Sequence, residues 1–247
     1  MQHFFVTPQQ VKSDYIYVEG TDVNHMQNVL RMKPGEKLEI SDGNNQKYLC
    51  AIEKFGPQEV VLKMIKKMNS DNELPSNIYL FQGIPKNDKM ELIIQKAVEL
   101  GVYQIIPVET RRTIVKIDDK KAGKKLERWN KISESGAKQS GRNIVPEVTQ
   151  ILSFSKALDY MRQKEIKVSL IPYELAEGMA DTKRVIEHIL PGQSIAVMIG
   201  PEGGFEQEEI IQAMDAGMYP ITLGKRILRT ETAGLSILSV LMYHLEN

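Results

Sequence analysis

Alternating apolar and polar positions in the first seventy residues predict a small unit built from β-strands. The strands expected from this alternation are 37–40, 47–55 and 59–64. The segment 21–32 is predicted to be a short helix that is capped by Thr21 or Asp22. Because turn-forming residues separate the strands, we expect a compact barrel, and the polar stretch 66–75 that follows is the predicted linker.

Beyond residue 75, short apolar runs alternate with amphipathic stretches. Met90, Ile93 and Ala97 recur at helical spacing, and Gly101 follows them as a helix C-cap. The predicted strands are 78–81, 103–108, 167–171, 194–199 and 218–223. The predicted helices are 88–100, 181–189, 206–216 and 231–245. This alternation predicts an α/β fold with a parallel sheet, and we place the two domains at 1–72 and 73–247.

Composition restricts the class of protein further. Hydrophobic residues make up 42% of the chain and charged residues 26%, which is typical of a globular protein. No apolar run approaches the roughly 18 residues that span a bilayer, and the amino terminus lacks a secretory pattern. Cys50 is the only cysteine, and the four histidines show no metal-ligand spacing. We therefore expect a cytoplasmic protein that has no metal and no membrane partner.

Positive charge is concentrated in one segment, although the net charge is zero. The segment 111–142 contains eleven basic residues and four acidic ones, and Trp129 lies among them. Clustered lysine and arginine beside an aromatic ring is typical of a surface that binds a polyanion, since phosphate contacts release counterions. A solvated helix face would show the same pattern, so both interpretations stay open at this point.

A glycine-rich loop follows the apolar strand predicted at 194–199. The residues Gly200-Pro201-Glu202-Gly203-Gly204 stand at a strand end, where open α/β sheets bind ligands. The loop matches no nucleotide-binding motif, and the next helix opens with glutamates that would repel a phosphate. A ligand without phosphates therefore fits better, although a tight turn could need glycines for steric reasons alone.

A second cluster, at 223–234, joins a strand end to the last helix. It contains Lys225, Arg226 and Arg229, with Thr230 placed to cap the helix. The arginines could pair with nearby glutamates or serve a ligand, and we expect such a pair for one of the two but not for both. The helix 231–245 is apolar nearly all round, so it must be buried within the fold or against a partner chain.

These two clusters carry a resemblance to a known family. The sequences GPEGGF at 200–205 and LGKRILRTETA at 223–233 resemble the signature of the SPOUT methyltransferases, and most closely that of the RsmE family. Members of that family methylate N3 of a uridine in 16S ribosomal RNA. The similarity extends to KMELIIQKAVELG at 89–101 and to the segment 127–148, and His3 stands where relatives usually carry arginine.

The resemblance implies a PUA-like amino-terminal barrel that binds RNA and a carboxy-terminal SPOUT domain with a parallel sheet and a trefoil knot. It also implies a homodimer, S-adenosylmethionine as cofactor, and 16S ribosomal RNA of the small subunit as substrate. The cofactor-binding residues implied by motif position are Leu170, Pro172, Glu174, Ile199, Gly200, Gly203, Gly204, Leu223, Gly224, Ile227 and Leu228.

Methylation of a uracil N3 requires that a proton leaves and that the resulting anion approaches the methyl carbon. Arg229 is the candidate to stabilise negative charge on the uracil oxygens. Glu202 and Glu231 are candidates to accept the proton, and water is a third. The residues expected to hold RNA phosphates are Arg31, Arg111, Arg112, Arg128 and Arg142.

Two other functions remain open. A SPOUT enzyme could methylate a ribose 2′-hydroxyl instead of a base. A protein of a different class, a non-catalytic ribosome-assembly factor, could use the barrel and the basic segment only to bind RNA. The second alternative predicts no binding of S-adenosylmethionine.

Overall fold

The structure is a computed structural model that describes residues 1–69, 72–115, 117–173, 176 and 178–246, and it divides into two compact units. The first unit comprises residues 1–73 and 137–145, and the second comprises 74–136 and 146–247. The hydrophobic pattern does not indicate that 137–145 belongs with the amino-terminal unit. That segment begins in the last turn of a long helix, so its membership depends on contacts between residues far apart in sequence.

The first unit contains a six-stranded sheet, a short α-helix and a 3-10 helical turn, Pro8–Gln10. Its elements are β1 (His3–Phe5), β2 (Val11–Lys12), β3 (Tyr15–Glu19), α1 (Thr21–Asn24), β4 (Lys37–Ser41), β5 (Lys47–Phe55) and β6 (Glu59–Met68). The strand order is β1-β4-β5-β6-β3-β2, with antiparallel pairs except for the parallel pair β1–β4. One apolar cluster takes side chains from β1, β3, β4, β5 and β6, and it forms the core of this unit.

Three predictions for this unit need correction. The helix expected at 21–32 stops as an α-helix at Asn24 and continues as a π-helical turn, His25–Val29, which places Met26 in the core. The residue before α1 is Gly20, and neither Thr21 nor Asp22 caps the helix. Strand β6 continues to Met68, so the linker begins later than the polar composition suggested.

The second unit alternates strands and helices. Its strands are β7 (Ile78–Gly83), β8 (Gln104–Glu109), β9 (Glu147–Val148), β10 (Leu152–Ser153), β11 (Val168–Pro172), β12 (Ile195–Ile199) and β13 (Tyr219–Ile221). Its helices are α2 (Lys89–Glu99), α3 (Asp119–Ser140, which ends within the first unit), α4 (Phe154–Gln163), α5 (Met179–Glu187), α6 (Gln207–Asp215) and α7 (Thr230–Leu245). The hydrophobic pattern did not predict α3, α4, β9 or β10.

The sheet of the second unit is parallel throughout, which confirms the predicted α/β class. Its order is β10-β8-β7-β12-β11-β13, with β9 beside β8. Every residue of β12 is buried, as expected of a central strand that is covered on both faces. The predicted apolar stripe of α2 also faces the core. These elements fix the position of the loops that follow the strands.

Helix α7 is less enclosed than its composition suggested. One face, which includes Gly234, Ile237, Leu238 and Leu241, is buried in the second unit. On the other face Val240 is 45% exposed and Tyr243 is 74% exposed. Within the part of the chain that the structure describes, no helix is both long enough and apolar enough to cross a membrane.

Candidate active site

A cavity of about 370 Å³ opens at one edge of the parallel sheet. Its walls come from the segments that follow β7, β11, β12 and β13, which are neighbours in the sheet. The carboxyl ends of parallel strands meet at one edge, and open α/β sheets bind ligands there. The strand order therefore brings together loops that are more than a hundred residues apart in sequence.

Most of the predicted cofactor-binding residues line this cavity. They are Pro172, Ile199, Gly200, Gly204, Leu223, Gly224, Ile227 and Leu228. Leu170 does not line it, because its side chain is fully buried within β11. Gly203 is also outside the lining, and its carbonyl accepts a hydrogen bond from Arg112. Glu174 lies outside the described residues.

Gly200 in the glycine-rich loop and Gly83 beside the loop both have little room for a side chain. A Cβ on Gly200 would lie 3.2 Å from the Gly204 backbone and from the Phe205 ring. A Cβ on Gly83, at the end of β7, would lie 2.6 Å from the ring of Pro201. The close packing supports the steric interpretation for Gly200. The same loop also forms one wall of the cavity, so the steric and ligand interpretations are compatible.

Lys89, at the start of α2, is the main site residue that the sequence analysis missed. It lines the cavity, and its Nζ lies 3.0 Å from Glu202 Oε1 and 3.4 Å from Glu231 Oε2. Lys89 therefore joins the two motif loops through their carboxylates. Its position follows from the pairing of β7 with β12, which no local pattern reveals.

Glu202 is engaged on several sides. The Lys86 backbone N–H donates to both carboxylate oxygens, at 3.1 and 3.2 Å, in addition to the ion pair with Lys89. Burial alone would raise the pKa of Glu202, but hydrogen bonds from its own backbone N–H, from Lys89 and from the Lys86 N–H hold that pKa below its ordinary value. Glu202 is therefore an ionised carboxylate whose lone pairs are occupied, which makes it a weak base.

Glu231 is placed differently. Its side chain does not line the cavity, and its Oε2 is buried without a hydrogen-bond partner. The same oxygen is within ion-pair distance of Lys89, at 3.4 Å, although the geometry is too poor for a hydrogen bond. Glu202 and Glu231, the two candidate proton acceptors, therefore both lie within ion-pair distance of the Lys89 ammonium group.

The cationic loop before α7 has a different environment. Arg226 and Arg229 line the cavity, and both side chains are exposed. Neither forms an ion pair with any residue that the structure describes, so the expected pairing with a nearby glutamate is not seen there. Thr230 does not cap the helix as predicted. It is the first residue of α7, Arg229 holds the N-cap position, and the Thr230 hydroxyl donates to the Gly200 carbonyl at 2.6 Å.

The arginines predicted to hold RNA phosphates are mostly engaged with carboxylates. The exposed pairs are Arg111–Glu208 at 2.8 Å, Arg112–Glu206 at 2.9 Å and Arg128–Glu91 at 2.8 Å. Arg142 differs from these three: its side chain is only 4% exposed and is paired with Glu73, so burial and the ion pair both oppose the predicted phosphate contact. Arg31 is exposed. Trp129 is buried and cannot stack on a base.

His3 is also buried. It occupies the position at which the family named in the resemblance usually has arginine. Its Nε2 lies 2.8 Å from the Ser41 hydroxyl. Burial and the nearby Lys47 lower the pKa of His3 to about 4. The imidazole is therefore neutral near pH 7, and it cannot replace an arginine as a phosphate contact.

The comparisons with known proteins agree with this arrangement. The RNA methyltransferase domain family matches residues 72–242, and the RNA methyltransferase PUA domain family matches residues 18–65. These matches assign the chain to the class of RNA methyltransferases that also contain a PUA domain. A protein from Bacillus subtilis named ribosomal RNA small subunit methyltransferase E is 35% identical, over 100% of this chain and 98% of its own length. The chain belongs to the family of that methyltransferase.

Further relatives have the same name. One from Mesomycoplasma hyopneumoniae is 32% identical, over 97% of this chain and 98% of its own length. Among solved structures, a ribosomal RNA small subunit methyltransferase E from Neisseria gonorrhoeae, bound to S-adenosyl methionine, is 35% identical with a TM-score of 0.85. That likeness covers 98% of this chain and 97% of the other.

Proposed function

We propose that this protein transfers a methyl group from S-adenosylmethionine to N3 of a uridine in the 16S ribosomal RNA of the small subunit. The observation that carries the proposal is the cavity, since both motif loops line it and exposed arginines stand beside them. Family membership supplies the reaction class and the kind of RNA.

The cavity fits S-adenosylmethionine in size and chemistry. Its volume is within the range of about 300–1,000 Å³ that is usual for small-molecule sites. Apolar side chains of Ile199, Leu223 and Leu228 provide surface for a nucleoside, and closely packed glycine backbone forms another wall. The acidic first turn of α6 disfavours a phosphate ligand, and this cofactor has none. When bound, it supplies an electrophilic methyl group on a positively charged sulfur.

The residues of this chain have separate tasks in the proposed reaction. Arg229 would stabilise the negative charge that develops on a uracil oxygen when N3 loses its proton. Glu202 is a poor proton acceptor because its oxygens are already hydrogen-bonded. Glu231 is a poor one because it does not line the cavity. We therefore assign the proton to solvent.

RNA binding would use exposed cations. Arg226 and Arg229 need not release a carboxylate of the described chain before they contact a phosphate. In contrast, Arg111, Arg112 and Arg128 would each exchange a glutamate for the phosphate, which reduces the net gain. Arg31 is exposed and stays a candidate, and the PUA domain match supports an RNA-binding role for its unit.

Three finer features belong to the same proposal. We propose a homodimer, because the half-exposed apolar face of α7 with Val240 and Tyr243 would be covered by a second copy. We propose that the second unit contains the trefoil knot of the SPOUT methyltransferases. We also propose that the protein acts in the cytoplasm, where its ribosomal substrate is assembled.

Mapping of methylated nucleosides tests the proposal directly. Purified small subunits and naked 16S ribosomal RNA would each be incubated with labelled S-adenosylmethionine, and the digested RNA would be analysed by mass spectrometry. We expect 3-methyluridine. A 2′-O-methylated nucleoside would instead assign the protein to the ribose methyltransferases. RNA binding with no methylation and no cofactor binding would assign it to the assembly factors.

A further inference from the structure

A buried hydrogen-bond chain joins β7, the start of α7 and the glycine-rich loop. Gln82 of β7 is fully buried, and its Nε2 donates to the Thr230 hydroxyl at 2.9 Å. Thr230 Oγ1 in turn donates to the Gly200 carbonyl oxygen at 2.6 Å. Gly200 and Thr230 line the cavity, while Gln82 lies behind them. The chain therefore runs from the core of the sheet to the cavity wall.

The direction of every hydrogen bond in this chain is determined. Gln82 Nε2 also donates to the carbonyl of Gly83 at 2.9 Å, and a carbonyl can only accept. The amide must therefore present its nitrogen to both Gly83 and Thr230. The hydroxyl of Thr230 accepts that bond, so its single hydrogen is directed to Gly200. Because each hydrogen bond can form in only one direction, the bond from Thr230 holds the Gly200 carbonyl in one orientation.

The amide of Gln82 is retained at an energetic cost. Its Oε1 is buried and has no hydrogen-bond partner among the described residues. An unsatisfied buried acceptor is destabilising, and an apolar side chain of similar size would avoid that cost. A residue kept only for packing would not need the amide. What the amide adds over an apolar side chain is the pair of hydrogen bonds that its nitrogen donates to Gly83 and Thr230.

The Gly200 carbonyl is a point where such control matters. Pro201 follows it and has no backbone N–H, so the turn lacks one of the donors that would otherwise fix the backbone. The loop is also closely packed, since a Cβ on Gly200 would lie 3.2 Å from Gly204 and Phe205. A rotation of the Gly200 peptide would displace the cavity wall on which the proposed cofactor rests.

We propose that Gln82 and Thr230 are positioning residues that set the Gly200 backbone for cofactor binding. This inference rests on the proposed function, because it assumes that S-adenosylmethionine occupies the cavity. The two residues act through Gly200, and no contact of either side chain with the reacting atoms is required.

The test compares substitutions at Thr230 by calorimetric titration with S-adenosylmethionine. Thr230→Val keeps the shape and removes the hydroxyl, and we expect affinity to fall roughly five- to tenfold, since a net hydrogen bond contributes about 1 kcal/mol. Thr230→Ser restores the hydroxyl and should bind within about twofold of the unaltered protein. Thr232→Val, at an exposed position of the same helix, is the matched control and should bind normally.

Gln82→Met provides an independent arm, because it removes the N–H donors together with the unsatisfied oxygen. We expect weaker cofactor binding without a lower thermal stability of the ligand-free protein. Loss of affinity only in proportion to lost stability, or no rescue by Thr230→Ser, would overturn the inference. If the unaltered protein and Thr230→Val bind S-adenosylmethionine equally well, this inference is wrong but the proposed function still stands. If the unaltered protein binds no S-adenosylmethionine, the proposed function fails with it.

Discussion

Two groups of arginines in this protein lie in similarly basic stretches of sequence, but their environments in the folded structure differ. Arg111, Arg112, Arg128 and Arg142 each bind a glutamate. Arg226 and Arg229 are exposed beside the cavity and pair with no described residue. The glutamate partners of the first group lie 37 to 97 positions away in sequence. A local excess of positive charge therefore overestimates the cations that a ligand can use.

The largest difference between the two groups should appear in catalysis. Arg229→Ala removes the guanidinium proposed to stabilise the uracil anion, and we expect the methylation rate to fall by about 10²–10³-fold. Affinity for S-adenosylmethionine should stay within a few-fold, because the side chain is assigned to the substrate. Single-turnover methylation and calorimetric titration measure the two effects separately.

The control for this substitution is Arg162→Ala, which removes an exposed arginine of α4 that pairs with Asp159. It should leave methylation unchanged. Methylation by Arg229→Ala at the unaltered rate would remove Arg229 from the mechanism. That result would also mean that the arginines at the cavity and the arginines paired with glutamates do not differ in function.

Arg142 should show the opposite behaviour, with a loss of stability. Arg142→Met leaves the Glu73 carboxylate nearly buried without its cation, and we expect the free energy of unfolding to fall by about 3 kcal/mol. Urea unfolding followed by circular dichroism measures the loss. The double variant with Glu73→Gln should recover part of it. A full loss of RNA binding at unchanged stability would show that Arg142 contacts RNA after all.

Lys89 is intermediate between the two groups, because it lines the cavity and is also paired. Its hydrogen bond to Glu202 raises the pKa of Lys89, while that carboxylate has a lowered pKa. A carboxylate whose pKa is lowered in the folded state stabilises the fold above its unfolded pKa. That contribution is lost as the pH falls through the folded pKa.

Lys89→Met should therefore raise the pKa of Glu202 and move the acid loss of stability to higher pH. Thermal unfolding between pH 3 and 7 measures the shift. The matched control is Lys96→Met, which breaks an exposed pair with Glu99 on the same helix and should leave the pH dependence unchanged. An identical pH profile for the two variants would show that Lys89 does not determine the charge of Glu202.

Sequence reasoning succeeded where the information was local. The strand before Gly200 and the apolar stripe of α2 were predicted from short windows, and both are present. Helix α3 was missed because its buried positions in the described chain, Trp129, Ser133, Gly136 and Ala137, include three small residues among many lysines. The stripe at this spacing has too little hydrophobicity to be recognised.

The candidate site could also be predicted only where its residues are close together in sequence. The two motif loops are contiguous in sequence, so most cavity residues could be identified from them. Lys89 could not, because its place depends on β7 lying beside β12 in the sheet. The partner of Arg142 could not either, since Glu73 is 69 positions away. Pairings of this kind depend on strand order and packing, which a window of sequence does not contain.

The smallest predicted effect concerns RNA affinity. Arg226→Ala should lower the dependence of log K on log salt by about one unit, as expected when one phosphate contact is lost. Arg128→Ala should change that slope by much less, because this guanidinium already binds Glu91 and releases few counterions when RNA replaces the carboxylate. Filter binding of a 16S ribosomal RNA fragment between about 50 and 200 mM salt measures both slopes. Equal slopes for the two variants would mean that ion pairing does not distinguish the two groups of arginines, because Glu91 would then yield to phosphate without measurable cost.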